Sequence, residues 1–82
     1  MTDSYIPQRF GEKLRELRKA HGLTVVDIAA QLGYASNGYI SEIERNKKQP
    51  TVEFVLKVAR LFDVSTDVLL KDELELDSAE DT

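Results

Sequence analysis

Residues able to carry out catalysis or to hold a metal ion are scarce in this 82-residue sequence. His21 is the only histidine, and there is no cysteine, so neither a conventional metal cluster nor a thiol nucleophile can be built. No glycine-rich phosphate-binding loop is present, and the carboxylates near the C-terminus lack the spacing of a calcium-binding loop. We therefore expect a protein that is not an enzyme and that needs no metal or cofactor.

A basic run, Arg45-Asn46-Lys47-Lys48-Gln49, has residue types that suit binding to phosphate groups. Such a run is usually only a solvated turn, so taken alone it leaves both interpretations open. The net charge of −4 does not exclude a nucleic-acid partner, because residues 1–71 hold all 11 basic residues against nine acids. The other six acids lie in residues 72–82 without a base. We expect that end to be solvated and disordered, to lie at a dimer interface, or to bind a protein partner.

Length and composition limit the class of protein. A chain of 82 residues forms one small domain whose core is marginal, so self-association is expected. No apolar run approaches the roughly 18 residues that span a bilayer, and the first nine residues are too polar for a signal peptide. The absence of cysteine suits a reducing compartment. These features predict a soluble cytoplasmic protein.

Hydrophobic periodicity predicts three helices in the first half of the chain. The first has Phe10, Leu14 and Leu17 on one face, ends near His21 and is stopped by Gly22, which can adopt the left-handed conformation. The second begins at Thr24 in a capping-box-like pair with Asp27 and ends at Gly33, with Ile28, Ala29 and Leu32 as its apolar face. The third follows a polar link, residues 34–37, and runs to about Arg45. Only Ile40 and Ile43 are strongly apolar there, so most of this helix is expected to face outward.

Two more helices are predicted after the basic run. Thr51 caps the fourth, and its predicted inward face consists of Val52, Val55, Leu56, Ala59 and Phe62. Asp63 stands at its end, in a position that favours the left-handed conformation. Ser65 caps a fifth, short helix with Val68, Leu69 and Leu70. Residues 73–77 alternate leucine with acids, which suits an edge strand or an irregular tail.

The sequence resembles the phage-repressor and Cro-like helix-turn-helix regulators, the xenobiotic-response-element family. The resemblance runs from about Phe10 to Leu70 and rests on five pieces in order. These are Gly11-Glu12-Lys13-Leu14-Arg15-Glu16-Leu17-Arg18 with Gly22-Leu23-Thr24, Ala29 with Gly33, Ile40-Ser41-Glu42-Ile43-Glu44-Arg45, Pro50-Thr51, and Val64-Ser65-Thr66-Asp67-Val68-Leu69-Leu70. It implies an all-α, five-helix domain over residues 9–71, between an arm (1–8) and an acidic tail (72–82), whose third helix enters the DNA major groove.

The resemblance also assigns residues to DNA contacts. Base-reading residues would be Asn37, Gly38, Ser41 and Glu42, and phosphate-binding residues would be Thr24, Ser36, Tyr39, Arg45, Lys47 and Lys48. Asparagine can pair with adenine, and glutamate can accept from the cytosine amino group. Tyr39 has an alternative interpretation, packing on the second helix. Two departures from the family pattern matter: Val25 stands where a DNA-contacting glutamine is usual, and the link before Ile40 is one residue longer.

Glu44 is not assigned to DNA, because a carboxylate on that surface would repel phosphate. In the family this position pairs with an arginine of the first helix, here Arg18. The resemblance therefore implies a structural ion pair, Arg18–Glu44, that fixes the third helix to the first.

A homodimer on a near-palindromic operator is the form that this family implies. The expected dimer interface is Val64, Val68, Leu69, Leu70, Leu74 and Leu76; alternatively, all but the last two complete the monomer core. The leading hypothesis is a transcriptional regulator of bacterial or phage type, most simply a repressor, found at the nucleoid when bound to double-stranded DNA. Two alternatives stay open: an antitoxin that binds a toxin through the acidic tail, and a protein-interaction module that has lost DNA binding.

Overall fold

Five helices joined by short turns account for most of residues 7–76, the part of the chain that the computed structural model describes. They are α1 (Phe10–Ala20), α2 (Val25–Leu32), α3 (Gly38–Glu44), α4 (Val52–Phe62) and α5 (Thr66–Leu70). This confirms the all-α, five-helix prediction. Between residues 7 and 76 there is no β-strand, and the part of segment 73–77 inside that range is irregular. No helix in this range is long and apolar enough to cross a membrane.

Side-chain caps begin three of the helices, as the sequence predicts. Thr24 and Asp27 form a reciprocal capping box at α2, while Thr51 accepts from the N–H of Phe54 and Ser65 from that of Val68. Each such cap stabilises its helix by about 1 kcal/mol, because it satisfies an amide that the helix itself leaves unpaired. The caps therefore set the boundaries between the helices.

Left-handed residues end the helices where the sequence predicts them. Gly22, Gly33 and Asp63 all have positive φ. His21, just before Gly22, donates from Nδ1 to the carbonyl oxygen of Leu17 at 2.9 Å and packs its ring 4.9 Å from that of Phe62. This agrees with its interpretation as a residue of the helix C-terminus.

The buried face of α4 differs from the prediction. Val52 is 77% exposed and Leu56 is 44% exposed, whereas Phe54 and Val58 are completely buried. Val55, Ala59 and Phe62 are buried as expected. Val52 is the first residue of α4, and its side chain lies outside the core. The buried face of the helix begins two residues later, at Phe54. Phe54 instead meets the rings of Phe10, Tyr34 and Tyr39.

Helices α1 and α3 approach closely at Gly11. This glycine is buried, and a Cβ built on it would collide with the carbonyl oxygen of Ile43 and lie 3.0 Å from that of Glu44. Because every other residue has a Cβ, only glycine permits this separation of the two backbones. Gly11 therefore sets the distance at which α1 supports α3.

A buried lysine joins α1 to the end of the domain. The side chain of Lys13 is 0% exposed, and its Nζ donates to the carbonyl oxygens of Val68, Lys71 and Leu74 at 2.7–2.8 Å. Burial lowers the pKa of Lys13 from its ordinary value. The three carbonyls lie at and after the C-terminal end of α5, where a cation is favoured. Lys13 thus holds the segment that follows α5 against α1.

The beginning of the acidic tail belongs to the folded domain. The carboxylate of Asp72 accepts from the backbone N–H groups of Gln8 and Arg9, which precede α1, and Arg9 contacts both carboxylate oxygens of Glu75 at 3.0 Å. Hydrogen bonds to Glu75 and Glu12 raise the pKa of Arg9. For residues 72–76 the expectation of a solvated, disordered end is therefore wrong; residues 77–82 lie outside the described part of the chain. We call residues 71–76 the C-terminal clasp.

Candidate nucleic-acid interface

The turn between α2 and α3 presents α3 on the surface. Gly33 adopts φ 84°, and the N–H of Tyr34 donates back to the carbonyl oxygen of Ala29 at 2.8 Å. Ala29 is 5% exposed, while Ile40 and Ile43 are 0% and 1% exposed. These contacts fix α3 by its inner side, so its polar residues lie on the outer side of the motif.

The start of α3 is built by the link that is one residue longer than usual. The Oγ of Ser36 accepts from the N–H of Gly38 at 3.0 Å. Asn37 occupies the N-cap position of α3, but its side chain makes no capping hydrogen bond. A Cβ on Gly38 would meet only the Ser36 Oγ, at 3.4 Å. The fold itself therefore does not require glycine at this position, unlike at Gly11.

Tyr39 packs on α4. Its ring lies 5.1 Å from that of Phe54 in an edge-on arrangement, and 5.6 Å from that of Tyr34 in the link. Its hydroxyl accepts from the N–H of Thr51 at 3.2 Å. Since that bond uses only an oxygen lone pair, the hydroxyl proton can still be donated to a phosphate.

Two of the predicted DNA-contacting residues pair with each other. The Nζ of Lys48 lies 3.3 Å from Oε1 of Glu42, with side chains 58% and 41% exposed. Each charge is therefore partly satisfied by the other in the absence of DNA. A pair this exposed contributes about 0–1 kcal/mol, so it is easily exchanged for contacts with another molecule.

The remaining predicted phosphate ligands are exposed side chains near the ends of helices. Arg45 and Lys47 lie just after α3, and neither makes an ion pair or side-chain hydrogen bond within residues 7–76. The N–H of Lys47 donates to the carbonyl oxygen of Glu42 at 2.8 Å, and Asn46 adopts φ 62°, so this loop is tied to α3. Thr24 is also exposed, but its hydroxyl is engaged in the capping box of α2.

The ion pair between Arg18 and Glu44 is present in the structure. The Nε and Nη2 atoms of Arg18 contact the two carboxylate oxygens of Glu44 at 2.6 and 3.0 Å. The side chains are only 15% and 8% exposed, and Nη1 of Arg18 also donates to the carbonyl oxygen of Leu23. The hydrogen bond to Glu44 raises the pKa of Arg18. This bidentate pair links α1, the turn before α2, and the end of α3.

The apolar residues expected at a dimer interface divide into two groups. Val68 and Leu69 are 6% and 0% exposed, so for these two the expectation is wrong and the alternative, that they complete the monomer core, is right. Val64, Leu70, Leu74 and Leu76 are half-buried. A cavity of about 260 Å³ with a mainly apolar lining lies beside α4 and includes one of these half-buried residues, Leu70. Its lining includes Pro7, Pro50, Val52, Val55, Leu56 and Leu70.

Sequence reasoning missed Lys13, Gly11 and this apolar cavity. Lys13 has a signal in the sequence, since it falls on the apolar stripe of α1 between Phe10 and Leu14, where a lysine needs a buried acceptor. Val25, the departure from the family pattern, is half-buried and packs against the core.

Within residues 7–76 no group of three or more metal-ligating side chains comes together.

Comparison with known proteins identifies the class. The helix-turn-helix family model matches residues 14–69. An uncharacterized HTH-type transcriptional regulator, YobD of Bacillus subtilis, is 41% identical over 59 residues, 72% of this chain and 52% of that protein. The HTH-type transcriptional regulator SinR of Bacillus licheniformis is 37% identical over 75 residues, 88% of this chain and 67% of that protein.

A solved structure agrees with these matches. The P22 c2 repressor protein, in complex with a synthetic operator, has a TM-score of 0.72 at 32% identity, covering 80% of this chain and 98% of that one. This chain belongs to the helix-turn-helix family. It is a domain of the Cro-like and phage-repressor type that HTH-type transcriptional regulators contain, and that family is not enzymatic. The chain spans about half to two thirds of the length of the two curated relatives.

Proposed function

We propose that this protein is a sequence-specific transcriptional repressor that binds double-stranded DNA through α3. The observation that carries the proposal is the fixed position of α3: Ile40 and Ile43 anchor its inner side, and Glu44 ties its end to Arg18. Its outer side is left polar. The P22 c2 repressor, which is similar in fold, has been solved with a synthetic operator.

In this proposal the residues at the start and outer side of α3 read bases in the major groove, which is about 12 Å wide. Asn37, whose side chain is not used in capping, pairs with adenine, and Glu42 accepts from a cytosine amino group. Ser41 contributes a hydroxyl to the same surface, and Gly38 allows the backbone to come close to the DNA.

Phosphate contacts position the protein rather than select the sequence. Tyr39 donates its hydroxyl proton, Ser36 and Thr24 approach through their hydroxyls, and the loop after α3 supplies charge. The basic residues of that contact are Arg45, Lys47 and Lys48. Every phosphate that they neutralise releases counterions, so binding weakens steeply as salt is added.

The active form is proposed to be a homodimer on a near-palindromic operator, acting at the bacterial nucleoid in the cytoplasm. One α3 reads too few base pairs for tight specific binding, and two copies spaced about 34 Å apart meet successive turns of one DNA face. The dimer contact is placed at the apolar cavity beside α4, where Val52 is 77% exposed.

Selection of bound sequences from a random DNA pool tests the DNA-binding proposal. We expect an enriched motif with two inverted half-sites about one helical turn apart, and binding that weakens as salt increases. Recovery of no enriched sequence, together with no DNA retardation at low salt, would contradict it.

For the dimer, sedimentation of Leu56→Ser without DNA should show weaker self-association than the wild type. Val26→Ser is the matched control, since Val26 is 57% exposed on α2 rather than at the cavity.

A further inference from the structure

An open cavity of about 260 Å³ lies where α1, α2 and α3 meet, and arginine side chains line it from two sides. Arg15 comes from α1, and Arg45 comes from the residue that follows α3. Both are exposed, and within residues 7–76 neither guanidinium makes an ion pair or a hydrogen bond. Two positive charges without an acidic partner therefore line the same cavity.

The rest of the lining adds no net charge. Arg18 and Glu44 also face the cavity, but they neutralise each other in the bidentate pair. Val25 is apolar and packs against the core, and Ser41 contributes a neutral hydroxyl. The lining thus carries a charge of +2, and an anion in the cavity would relieve the repulsion between the two guanidinium groups.

The position of the cavity points to the kind of anion. Ser41 lies on α3, on the side proposed to face DNA, so a helix in the major groove brings the bordering phosphodiester backbone to this cavity. Guanidinium groups bind phosphate oxygens through two parallel hydrogen bonds, which makes arginine well suited to such a contact.

We infer that this cavity receives a backbone phosphate of bound DNA between Arg15 and Arg45, and that Arg15 is a phosphate-contacting residue outside the helix-turn-helix motif itself. This inference rests on the proposed function and extends the DNA contact to α1. Because phosphates carry no sequence information directly, Arg15 strengthens binding to every sequence by a similar factor.

The test compares the wild-type protein with Arg15→Gln on the selected operator and on a scrambled duplex, over a series of salt concentrations. Arg15→Gln is expected to weaken binding about tenfold on both duplexes, with the ratio of the two affinities unchanged. The dependence of log affinity on log salt should become shallower by up to about 0.9 for each protomer bound. Arg15→Lys should retain most of the salt dependence, since it keeps the charge.

Arg60→Gln is the matched control. Arg60 is also exposed and lacks an ion pair within residues 7–76, but it lies on α4 in the lining of a different cavity, with Gln31 and Leu61. The Arg60→Gln substitution removes the same charge as Arg15→Gln, but it should leave the salt dependence of DNA binding nearly unchanged. Thermal unfolding of each variant separates a binding effect from a loss of folding.

An operator with single phosphates replaced by uncharged methylphosphonates completes the test. At one phosphate the replacement should weaken the wild type more than it weakens either Arg15→Gln or Arg45→Gln, because each single variant keeps only one of the two arginines. The double variant Arg15→Gln/Arg45→Gln should be nearly unaffected by that replacement. If the wild type binds DNA but Arg15→Gln matches it in affinity and salt dependence, the inference is overturned while the proposed function stands. If the wild type binds no DNA at low salt, both are overturned.

Discussion

The Nζ of Lys13 donates to the carbonyl oxygen of Leu74 at 2.7 Å, although 61 residues separate them in the sequence. The same ammonium group binds two further carbonyls at the end of α5. A buried charge is tolerated only where hydrogen bonds replace its hydration, and here three acceptors do so. The contact between α1 and the C-terminal clasp is therefore a polar connection within the core.

Replacement of Lys13 by methionine should lower the free energy of unfolding by about 2–3 kcal/mol, because carbonyl groups at the end of α5 lose a charged donor. Urea unfolding measures the change. Lys19→Met is the control, since Lys19 is an exposed residue of the same helix and its loss should cost less than about 0.5 kcal/mol. Equal stabilities of the two variants would show that the three bonds contribute nothing net.

The ion pair between Arg9 and Glu75 should make stability depend on pH in the acid range. The hydrogen bond from Arg9 holds the pKa of Glu75 below its ordinary value of 4.5. The folded state therefore favours the ionised carboxylate, so the contribution is present in full above pH 4.5 and is lost as pH falls below it. The stability difference between wild type and Glu75→Gln should be constant near neutral pH and shrink below pH 4.5. A difference that grows towards low pH would contradict this.

Gly11→Ala should destabilise the domain by about 1–3 kcal/mol, because the added methyl group forces α1 away from the end of α3. The control is Gly38→Ala, where a Cβ has room beside Ser36, and its free energy of unfolding should stay within about 0.5 kcal/mol of the wild type. Chemical denaturation of both variants provides the comparison. An equally stable Gly11→Ala would mean that the two helices can separate without cost.

Loss of one partner from the Arg18–Glu44 pair should cost about 3 kcal/mol, since both side chains are mostly buried and the remaining charge loses its counter-ion. A double-mutant cycle with Arg18→Met and Glu44→Gln measures the coupling. The exposed pair Glu42–Lys48 serves as the comparison and should give a coupling below about 1 kcal/mol. Similar couplings for the two pairs would show that burial of the first does not strengthen it.

Glu42→Gln should change which base is preferred at one position of the operator, from cytosine towards adenine, because a glutamine side chain pairs with the adenine edge. Loss of the carboxylate also removes a repulsion of phosphate, so binding to scrambled DNA should strengthen. A repeated selection from random DNA detects both effects. Retention of the wild-type motif would exclude Glu42 from base reading.

Helix boundaries could be predicted well because they depend on local chemistry. Thr24 with Asp27, Gly33 and Asp63 act on backbone groups within one turn, so a short stretch of sequence contains the information. The family resemblance supplied the Arg18–Glu44 pair, which no local pattern contains. Ile40 and Ile43 showed which side of α3 is buried.

The face of α4 was predicted only in part, because periodicity does not show where the buried stripe begins. Val52 and Leu56 fit the same period as Val55 and Ala59, and only packing against α1 and the link selects Phe54. The polar contacts of the clasp were not predictable, since Lys13 and Asp72 find partners about 60 residues away. The Glu42–Lys48 pair depends on the path of a loop that the sequence pattern does not specify.

The contact of Asp72 with the N–H of Arg9, across 63 residues, has a consequence for how the protein is made. The first turn of α1 lacks a side-chain cap of its own, and Asp72 binds the amide groups of Gln8 and Arg9 immediately before it. A growing polypeptide on the ribosome cannot form this contact until residue 72 has left the exit tunnel. The segment before α1 is therefore joined to the end of the domain only after all the helices between them have been synthesised.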